Sequence, residues 1–341
     1  MPRERGEEAR RDLVEAGLLR ADLAILHEGE FLVLPVVDRP EGVLPAWGQI
    51  VEREFPENRR KGPAEYRDLL SLPESERQLL PRSFDIVGDI VLIRLPPSLD
   101  HRKESIGNAL LEFVPGARLV GVDHGVHGPE RRRSVERVAG SGSWRTRHKE
   151  NGVELAVDVE KAYFSPRLAR EHARVAEDVG PGERVYDLCC GVGPFAVTIA
   201  HVGRAGPVTA VDANPDAIAL LRETLSRYAL GDRVTTVSAS LEQFLPTASL
   251  AERVVLNLPH EGIKYLPSVA RTVAPGGRLY YYEVTPRTEL VGREVTLVDS
   301  LAPVGRFSLV HERVVHPYSP SSDLVAYGLE RSGGPEPCRS S

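Results

Sequence analysis

The chain of 341 residues has few cysteines and no long apolar segment. Its three cysteines comprise two neighbours, Cys189 and Cys190, and an isolated Cys338, which excludes a disulfide framework and a Cys-x-x-Cys pair. No apolar run approaches the roughly 20 residues that span a bilayer, and the start, MPRERGEEARRDL, lacks the apolar stretch of a secretion signal. We therefore expect a cytoplasmic protein without a membrane partner.

The composition is that of a globular protein, with 41% hydrophobic and 27% charged residues. A single core seldom grows past roughly 250–300 residues, so we expect more than one domain. The net charge of −6 argues against indiscriminate coating of nucleic acid. Basic residues nevertheless cluster between His127 and Lys149, where seven arginines and lysines accompany two glutamates. Such a stretch can bind phosphates, and a solvated loop explains it equally well.

Changes in composition along the chain predict five segments. Residues 1–55 form a small α/β module, with a helix over about 6–16 and a strand over 31–37. The polar, proline-marked stretch 56–80 is a linker. Residues 81–164 form a middle α/β domain with two β-rich runs, a helix near 102–113 and then a basic, glycine-rich loop region up to Gly152. Residues 165–331 form the last domain, and residues 332–341 form a disordered tail.

Short apolar strands alternate with helices from Ser165 onward, which predicts a doubly wound parallel sheet. The strands are expected near residues 185–188, 208–211, 234–238, 254–257 and 278–284. An α/β fold of this kind binds ligands at the carboxyl ends of its strands, so residues that follow the strands are the first candidates for a site.

The strongest motif is a strand that runs into glycines and then into a helix, VYDLCCGVGPF over residues 185–195. Gly191 and Gly193 allow a sharp turn and a close approach of ligand to backbone, and the following helix offers free N–H groups. A second strand ends in Asp212, about twenty residues after the glycines, where a carboxylate can bind both hydroxyls of a ribose. The pattern fits either a nicotinamide dinucleotide or S-adenosylmethionine (SAM).

Two further features favour SAM. Asp187 precedes the glycines, where a carboxylate can bind the ammonium group of a methionine moiety. Asn257-Leu258-Pro259 ends the fourth strand, where a side-chain amide and a backbone carbonyl can receive a planar N–H donor beside the methyl group. Each feature has an alternative: Asp187 can cap the following turn, Asp212 can begin a loop, and Asn257 can be an ordinary strand exit.

Two other groups of residues invite chemical interpretations. Asp123-His124 and His127 could be read as metal ligands, but histidines in a glycine-rich loop beside arginines are more typical of RNA contacts or solvated side chains. Cys189-Cys190 is typical of packing beneath the glycine loop rather than of a nucleophile. We therefore expect no metal, since a sulfonium methyl group is already an activated electrophile.

The ordered motifs resemble one known family, the archaeal and eukaryotic type of tRNA (guanine-N1)-methyltransferase that modifies the guanine at position 37. The resemblance covers nearly the whole chain. It rests on the segments GLL (17–19), HEGEFLVLP (27–35), SFDIVGD (83–89), HKENG (148–152), VEKAYFSPRL (159–168), GVGPF (191–195), DANP (212–215) and NLP (257–259).

The resemblance implies an α/β protein in which a C-terminal class I SAM-methyltransferase domain, a Rossmann-like doubly wound sheet, follows two smaller α/β modules. It implies SAM as the cofactor and tRNA as the partner. The middle domain would hold the anticodon stem-loop, and the N-terminal module would contact the outer corner of the tRNA. No protein partner is evident, so a monomer is expected.

The resemblance also assigns residues. It implies Glu171 as the general base, Arg131 as the cation that stabilises charge on guanine O6, and Asn257 as a partner of the guanine edge. The other substrate contacts would be Tyr163, Arg133 and Pro259. The SAM site would comprise Asp187, Gly191, Gly193, Phe195, Asp212, Ala213, Ser240 and Asn257. The third strand lacks the acid with which family members bind adenine, and the arginines at 131–133 leave the choice among them open.

The chemistry of guanine supports the same assignments. N1 carries a proton at neutral pH, so its alkylation needs a base, and a buried carboxylate is one solution. Ser165 as cap and Pro166 in the first turn predict the start of the helix that carries Glu171. Loss of the proton places negative charge on O6, which an arginine can stabilise. Glu171 also fits an ordinary salt-bridged helix face with Arg167 and Arg174.

Two other functions remain open from the sequence. A related wyosine-pathway transferase would move the aminocarboxypropyl group of SAM, or methylate the wyosine intermediate, at the same nucleotide. Pro194 favours methyl transfer, because those relatives tend to carry an aromatic residue after the glycines. The other possibility is a non-catalytic tRNA-binding protein, and the presence of Glu171 and Asn257 argues against it.

Overall fold

The structure is a computed structural model that describes residues 2, 5–20, 22–37, 49–56, 63–128 and 132–332. The chain divides into two compact units, Met1–Leu69 and Leu70–Ser341. Among the described residues, no helix combines the length and the apolar character that a membrane crossing requires. The domain boundaries expected near residues 55, 80 and 164 stay predictions, and the tail expected at 332–341 lies outside the described residues from 333 onward.

In its described residues, the first unit contains one α-helix, one β-hairpin and a 3-10 turn, Tyr66–Leu69. Its elements are α1 (Gly6–Glu15), β1 (Leu26–Glu28) and β2 (Phe31–Val33). The two strands are antiparallel and are joined through Gly29, which has a left-handed backbone conformation. The predicted helix is confirmed, but the predicted strand over 31–37 is too long. It ends before Pro35, which has no backbone N–H to donate to a sheet.

The second unit opens with a four-stranded sheet and a two-stranded ribbon. The sheet has the strand order β3-β4-β5-β6, and the ribbon pairs β7 with β8. Their bounds, with those of the helices among them, are α2 (Glu74–Arg77), β3 (Asp85–Val87), β4 (Ile90–Ile93), α3 (Lys103–Phe113), β5 (Leu119–His127), β6 (Arg132–Gly140), β7 (Arg145–Glu150) and β8 (Val153–Asp158).

The loop region expected before Gly152 is therefore wrong, because three strands, β5, β6 and β7, occupy most of it. The basic side chains of β7 fall on alternate positions, with Arg145, Arg147 and Lys149 exposed, and the next residue, Glu150, is buried. A strand with one solvent-exposed face has this alternation of exposed and less exposed residues. The high charge of the segment makes the alternation difficult to recognise in the sequence. Glycines such as Gly140 and Gly152 mark its turns, where both have left-handed backbones.

The largest sheet has seven strands in the order β11-β10-β9-β12-β13-β15-β14. The first five are parallel, and β15 and β14 are antiparallel additions. The bounds are α4 (Ala169–Asp178), β9 (Val185–Leu188), α5 (Pro194–Val202), β10 (Val208–Asp212), α6 (Pro215–Arg227), β11 (Val234–Ser238), α7 (Leu241–Phe244), β12 (Ala251–Leu256), α8 (Gly262–Ala270), β13 (Val273–Pro286), α9 (Arg293–Leu301), β14 (Phe307–Ser319) and β15 (Ser322–Arg331).

This sheet confirms the predicted doubly wound architecture. The chain proceeds outward from β9 through β10 to β11 and then returns to β12 on the other side of β9. The strand order therefore reverses between β9 and β12, where a crevice opens at the carboxyl ends of the strands. Both faces are covered: Tyr282 of β13 packs with Phe195 on one face, and Tyr281 packs with Leu266 of α8 on the other.

A glycine turn joins the smaller sheet to the β7–β8 ribbon. Gly88, between β3 and β4, has φ of 58° and donates its N–H to His148 Nδ1 at 3.2 Å. The next residue, Asp89, accepts hydrogen bonds from Thr146 Oγ1 at 2.7 Å and Arg118 Nε at 2.9 Å. A Cβ atom on Gly88 would collide with Thr146 Oγ1 and with the carbonyl oxygen of Arg147. Only glycine fits this contact.

We expect Gly88→Ala to lower the free energy of unfolding by about 2–4 kcal/mol, because a left-handed alanine adds backbone strain to a clash with backbone atoms. Gly116→Ala is the matched control: Gly116 has φ of 80°, but no heavy atom lies within 4 Å of a Cβ there. Its cost should be only about 1 kcal/mol. Urea denaturation of both variants measures the difference, and equal losses would show that the contact with β7 contributes nothing.

Candidate active site

The glycine loop between β9 and α5 forms the floor of the crevice. Cys189, Gly191 and Gly193 all have left-handed backbones, with φ of 60°, 55° and 76°. A Cβ on Gly193 would collide with Leu221 of α6, and one on Gly191 would lie 3.3 Å from the carbonyl oxygen of Tyr163. The loop therefore packs too closely for larger residues. Cys190 is buried, and burial raises the pKa of its thiol, which keeps it protonated and unreactive.

Asp187 is completely buried on β9, beneath the loop. Its Oδ2 accepts a hydrogen bond from the backbone N–H of Ala196 at 3.0 Å, so it caps the first turn of α5 as the alternative interpretation expects. Its Oδ1 is buried without a hydrogen-bond partner among the described residues. Burial raises the pKa of Asp187 to about 7, and the nearby charge of Asp212 acts in the same direction. An ammonium donor at Oδ1 would satisfy the remaining oxygen and favour its ionised form.

Asp212 ends β10 and ties two loops together. It accepts hydrogen bonds from Gly191 N at 2.7 Å and from Asn214 N at 2.8 Å. Asn214 caps α6 through its side chain and donates to the carbonyl oxygen of Lys161 at 2.7 Å. The exposed Ala213 lies between these two anchored residues.

Two other residues assigned to the SAM site have structural roles in this fold. Ser240 is half-buried and forms a capping box with Gln243 at the start of α7. Phe195 is buried, with its ring 4.5 Å from that of His172 and 5.6 Å from that of Tyr282. The ring of Phe195 therefore belongs to the core, and its backbone belongs to the first turn of α5.

Asn257 stands at the carboxyl end of β12, at the switch point of the sheet. Leu256 is paired with Leu188 of β9 and with Tyr281 of β13. Asn257 therefore lies beside the residues that follow these two, Cys189 and Tyr282. The Oδ1 atom of Asn257 is buried without a hydrogen-bond partner among the described residues. The loop that follows is held by a hydrogen bond from Val284 N to the carbonyl oxygen of Pro259 at 3.0 Å.

The arginine cluster splits into different environments. Arg131 lies outside the described residues. Arg132 forms an ion pair with Asp216 at 3.0 Å. Arg133 is 5% exposed and lies over the ring of Tyr163, 5.2 Å from its centroid. Its Nη2 donates to the carbonyl oxygen of Phe164 at 3.1 Å, whereas Nε and Nη1 have no hydrogen-bond acceptor among the described residues. Arg133 Nη1 also lies 3.8 Å from Asp123 Oδ2 in a buried ion pair, so Nε is the donor of Arg133 with neither a hydrogen bond nor an ion pair among the described residues.

Two of the residues that invite a metal interpretation, Asp123 and His124, are hydrogen-bonded to other protein groups. Asp123 accepts hydrogen bonds from Arg94 Nε at 3.1 Å and from Gly125 N at 2.9 Å. His124 contacts Glu136 at 3.2 Å. Within the ranges that the structure describes, no group of three or more His, Cys, Asp or Glu residues is arranged to hold a metal ion.

Glu171 lies in the first turn of α4 and is 5% exposed. Its Oε2 accepts hydrogen bonds from Tyr282 Oη, at 3.3 Å, and from Arg313 Nη2. The salt-bridged face expected with Arg167 is wrong, because Arg167 instead pairs with Asp85 at 2.7 Å. The predicted start at Ser165 and Pro166 is confirmed in position, because Ser165 is the N-cap residue of a 3-10 turn, Pro166–Leu168, that leads into α4, but the Ser165 side chain makes no capping bond.

The partners of Glu171 were not evident from the sequence. Arg313 lies 142 residues away on β14, and nothing in the local pattern distinguishes it from the other arginines. Tyr282 belongs to the visible run Tyr280-Tyr281-Tyr282, but which face of the sheet each tyrosine occupies depends on strand pairing. Leu256 pairs with Tyr281, so the next residue on β13, Tyr282, lies beside Asn257 in the sheet. The hydroxyl of Tyr282 in turn donates a hydrogen bond to Glu171.

The residues at this edge fit SAM. Asp187 and Asn257 each offer a buried acceptor oxygen without a partner among the described residues. Asp212 anchors the glycine loop at the end of the adjacent strand, and the loop admits no side chain larger than hydrogen at Gly193. The acceptors suit the ammonium, ribose and adenine donors that SAM carries.

Comparison with known proteins identifies the family. Residues 146–310 match the TRM5/TYW2 methyltransferase domain, residues 66–143 the TYW2 N-terminal domain, and residues 1–44 the tRNA methyltransferase 5 N-terminal domain. The tRNA (guanine(37)-N(1))-methyltransferase Trm5b of Pyrococcus abyssi is 33% identical over 329 residues, which cover 96% of each chain. This chain belongs to the Trm5 family of tRNA (guanine-N1)-methyltransferases.

Solved structures agree with the Trm5 assignment. The crystal structure of Trm5b from Pyrococcus abyssi matches this Trm5-family chain with a TM-score of 0.74 at 32% identity, over 97% of this chain and 98% of that chain. The complex structure of aTrm5 and tRNALeu matches with a TM-score of 0.71 at 28% identity and the same coverage. The expected class I SAM-methyltransferase fold with N-terminal modules is confirmed.

A wyosine-pathway relative matches less of the chain. The tRNA(Phe) (4-demethylwyosine(37)-C(7)) aminocarboxypropyltransferase of Pyrococcus horikoshii is 31% identical over 230 residues, which cover 67% of this Trm5-family chain and 81% of the relative. This chain shares two domain types with the wyosine-pathway group, the TRM5/TYW2 methyltransferase domain over residues 146–310 and the TYW2 N-terminal domain over residues 66–143.

The raised pKa of Asp187 predicts a pH-dependent stability in the ligand-free enzyme. An acid whose pKa is higher in the folded state than in the unfolded state binds its proton more tightly when folded. Stability is therefore lost as the pH rises from about 4 to about 7, by roughly 4 kcal/mol in all. Asp187→Asn should lack this loss. Urea unfolding of both proteins between pH 4 and pH 8 tests it, and parallel curves would contradict it.

We expect Asp212→Ala to weaken SAM binding about 5- to 100-fold, because ribose hydroxyls lose their acceptor and the glycine loop loses an anchor. Asp212→Asn keeps one acceptor oxygen and should lose less. Isothermal titration with SAM gives the two affinities. Unchanged affinity in the alanine variant would exclude Asp212 from the cofactor site.

Proposed function

We propose that this chain transfers the methyl group of SAM to N1 of guanine 37 in tRNA. The observation that carries the proposal is the position of Tyr282, which follows the strand partner of Leu256 beside Asn257 and donates a hydrogen bond to Glu171. Curated relatives that cover nearly the whole chain have this activity in their names. When bound, SAM supplies a methyl group activated by its positive sulfur.

Glu171 removes the N1 proton in this proposal. The proton passes to the carboxylate of Glu171, which leaves the N1 electron pair of guanine able to accept the methyl group that SAM would supply when bound. Burial excludes water from around Glu171, and the donors on Oε2 hold its side chain in one orientation. Asn257 presents its unpartnered amide oxygen to an N–H donor of the guanine edge.

An arginine stabilises the charge that develops on guanine O6. Arg131 is the residue that the resemblance implies, and Arg133 has structural support because its buried Nε has no acceptor among the described residues. The ring of Tyr163 beneath Arg133 fixes the plane of its guanidinium by a cation–π contact. Tyr163 and Pro259 would bound the pocket from two sides.

The tRNA would bind across the basic residues around the pocket. Arg147 and Lys149 are exposed on β7, and Arg170 is exposed on α4. These side chains are placed to contact phosphates of the anticodon stem-loop, so binding should weaken as salt rises. Contact of the first unit with the outer corner of the tRNA, a monomeric state and a cytoplasmic location are further parts of the proposal.

Aminocarboxypropyl transfer is the second candidate. It is less favoured, because the wyosine-pathway relative covers 67% of this chain whereas Trm5b covers 96%. Mass spectrometry of tRNA incubated with the protein and SAM separates the two. A gain of one methyl group at a single guanine supports the proposal, a gain of the aminocarboxypropyl group supports the second candidate, and no gain supports a non-catalytic tRNA-binding protein.

We expect Glu171→Gln to slow single-turnover methylation about 10²–10⁴-fold, because glutamine keeps the size of the side chain but cannot take up the proton. Affinities for SAM and tRNA should stay near those of the wild type.

Glu283→Gln is the matched control for this experiment. Glu283 is also a buried glutamate with an arginine partner, but it lies on the opposite face of β13. Its substitution should lower stability without changing the rate of methylation. Wild-type turnover in Glu171→Gln would remove Glu171 from the mechanism.

A further inference from the structure

The carboxylate of Glu171 is held by only one of its two oxygens. Tyr282 Oη and Arg313 Nη2 both donate to Oε2, whereas Oε1 has no hydrogen-bond donor among the described residues. Arg313 comes from β14, at the edge of the large sheet, and its side chain is 34% exposed. A guanidinium from a distant strand thus reaches a nearly buried acid on α4.

Glu283, in the same sheet, is a glutamate with hydrogen-bond partners on both of its carboxylate oxygens. Arg293 binds it with both arms, Nη2 to Oε1 at 2.6 Å and Nε to Oε2 at 2.8 Å. Tyr281 Oη also donates to Oε1 at 3.1 Å, and Thr285 Oγ1 lies 3.5 Å from Oε2. Both glutamates therefore have one arginine and one tyrosine of β13 as partners, but only Glu171 retains an oxygen that no donor occupies.

The backbone of β14 explains why Arg313 binds end-on. The pairing of β14 with β15 shifts register between Leu309 and His311 and again between Val314 and His316. Arg313 lies between these two irregularities, opposite Ala326. Bulges re-aim side chains at the edges of sheets. Here the small side chain opposite leaves room for the guanidinium to cross toward α4.

Other basic groups near Glu171 do not replace Arg313. Arg174 and His311 line the small cavity beside Glu171. Neither forms a hydrogen bond with Glu171 among the described residues. Burial, together with neighbouring arginines, lowers the pKa of His311 to about 4, so His311 is neutral at pH 7. Arg313 is the cation that touches the carboxylate.

We propose that Arg313 is a positioning residue for the methylation reaction, which holds the Glu171 side chain in one orientation through Oε2 so that Oε1 is free to receive the guanine N1 proton. The inference rests on the proposed role of Glu171 as the base. Removal of Arg313 leaves a nearly buried carboxylate without a counter-charge, and such a group either takes up a proton or moves toward water. Either change removes the base from its working position.

The test is a double-mutant cycle in single-turnover methylation at saturating SAM and tRNA. Arg313→Ala should slow the reaction about 10- to 100-fold, the size expected when a catalytic group is misplaced by about 1 Å. The dissociation constants for SAM and tRNA should be unchanged. Arg313→Lys should restore part of the rate because it restores the charge. In the Glu171→Gln background, Arg313→Ala should cause no further slowing.

Arg293→Ala is the matched control, because it breaks the equivalent ion pair at Glu283. It should lower the melting temperature about as much as Arg313→Ala and leave the rate unchanged. If Arg313→Ala does not fold, Arg313→Gln carries the test, since it keeps a neutral donor and lacks the charge.

The outcomes separate this inference from the proposed function. A normal rate in Glu171→Gln overturns the role of Glu171 as base and the positioning role with it. A slow Glu171→Gln with a normal Arg313→Ala overturns only the positioning role. The positioning role is also overturned if Arg313→Ala slows the reaction equally in the wild-type and Glu171→Gln backgrounds, or if its main effect is a loss of tRNA affinity. Either result shows that Arg313 acts independently of Glu171.

Discussion

Parallel pairing of β9 with β10 on one side and β12 on the other determines where the polar groups of the site lie. The ladder sets Leu188, Val211 and Leu256 level with one another across the three strands. Asp212 and Asn257 are the next residues on their strands, and the glycine loop leaves β9 at the same height. Backbone hydrogen bonds within an apolar sheet thus bring together side chains that are up to 70 residues apart in sequence.

Two adjacent residues of helix α4, the acidic Glu171 and the imidazole-bearing His172, hold the helix from two sides. Glu171 points to the large sheet, where Tyr282 and Arg313 bind it. His172, the next residue, is buried and contacts Glu150 of β7 at 2.7 Å. Two buried polar contacts about 100° apart around a helix restrict its rotation, because a turn that preserved one would break the other. The position of Glu171 therefore depends on β7 as well as on the sheet.

Much of this arrangement was predictable from the sequence, because it follows from local patterns. Apolar runs of four to five residues that end in Asp212 or before Asn257 gave the parallel strands and the edge at which they end. The strands β5 to β8 were missed, since alternating charges on β7 look like a loop until the opposite face is known to be buried. The partner of Glu171 was missed for a different reason: ion pairs across 142 residues depend on strand order, which single-sequence periodicity does not contain.

The order of the sheet also sets when the site becomes complete during synthesis. β15 lies between β13 and β14, so β14 has no place in the sheet until β15 has paired with β13. Arg313 is carried by β14, but it can reach Glu171 only after the chain has been made as far as residue 331. A ribosome-bound chain in which the glycine loop and α4 have formed, but β15 has not yet been made, therefore still lacks the ion pair between Arg313 and the buried Glu171. The ion pair between Arg313 and Glu171 therefore depends on β15, the last strand in the part of the chain that the structure describes.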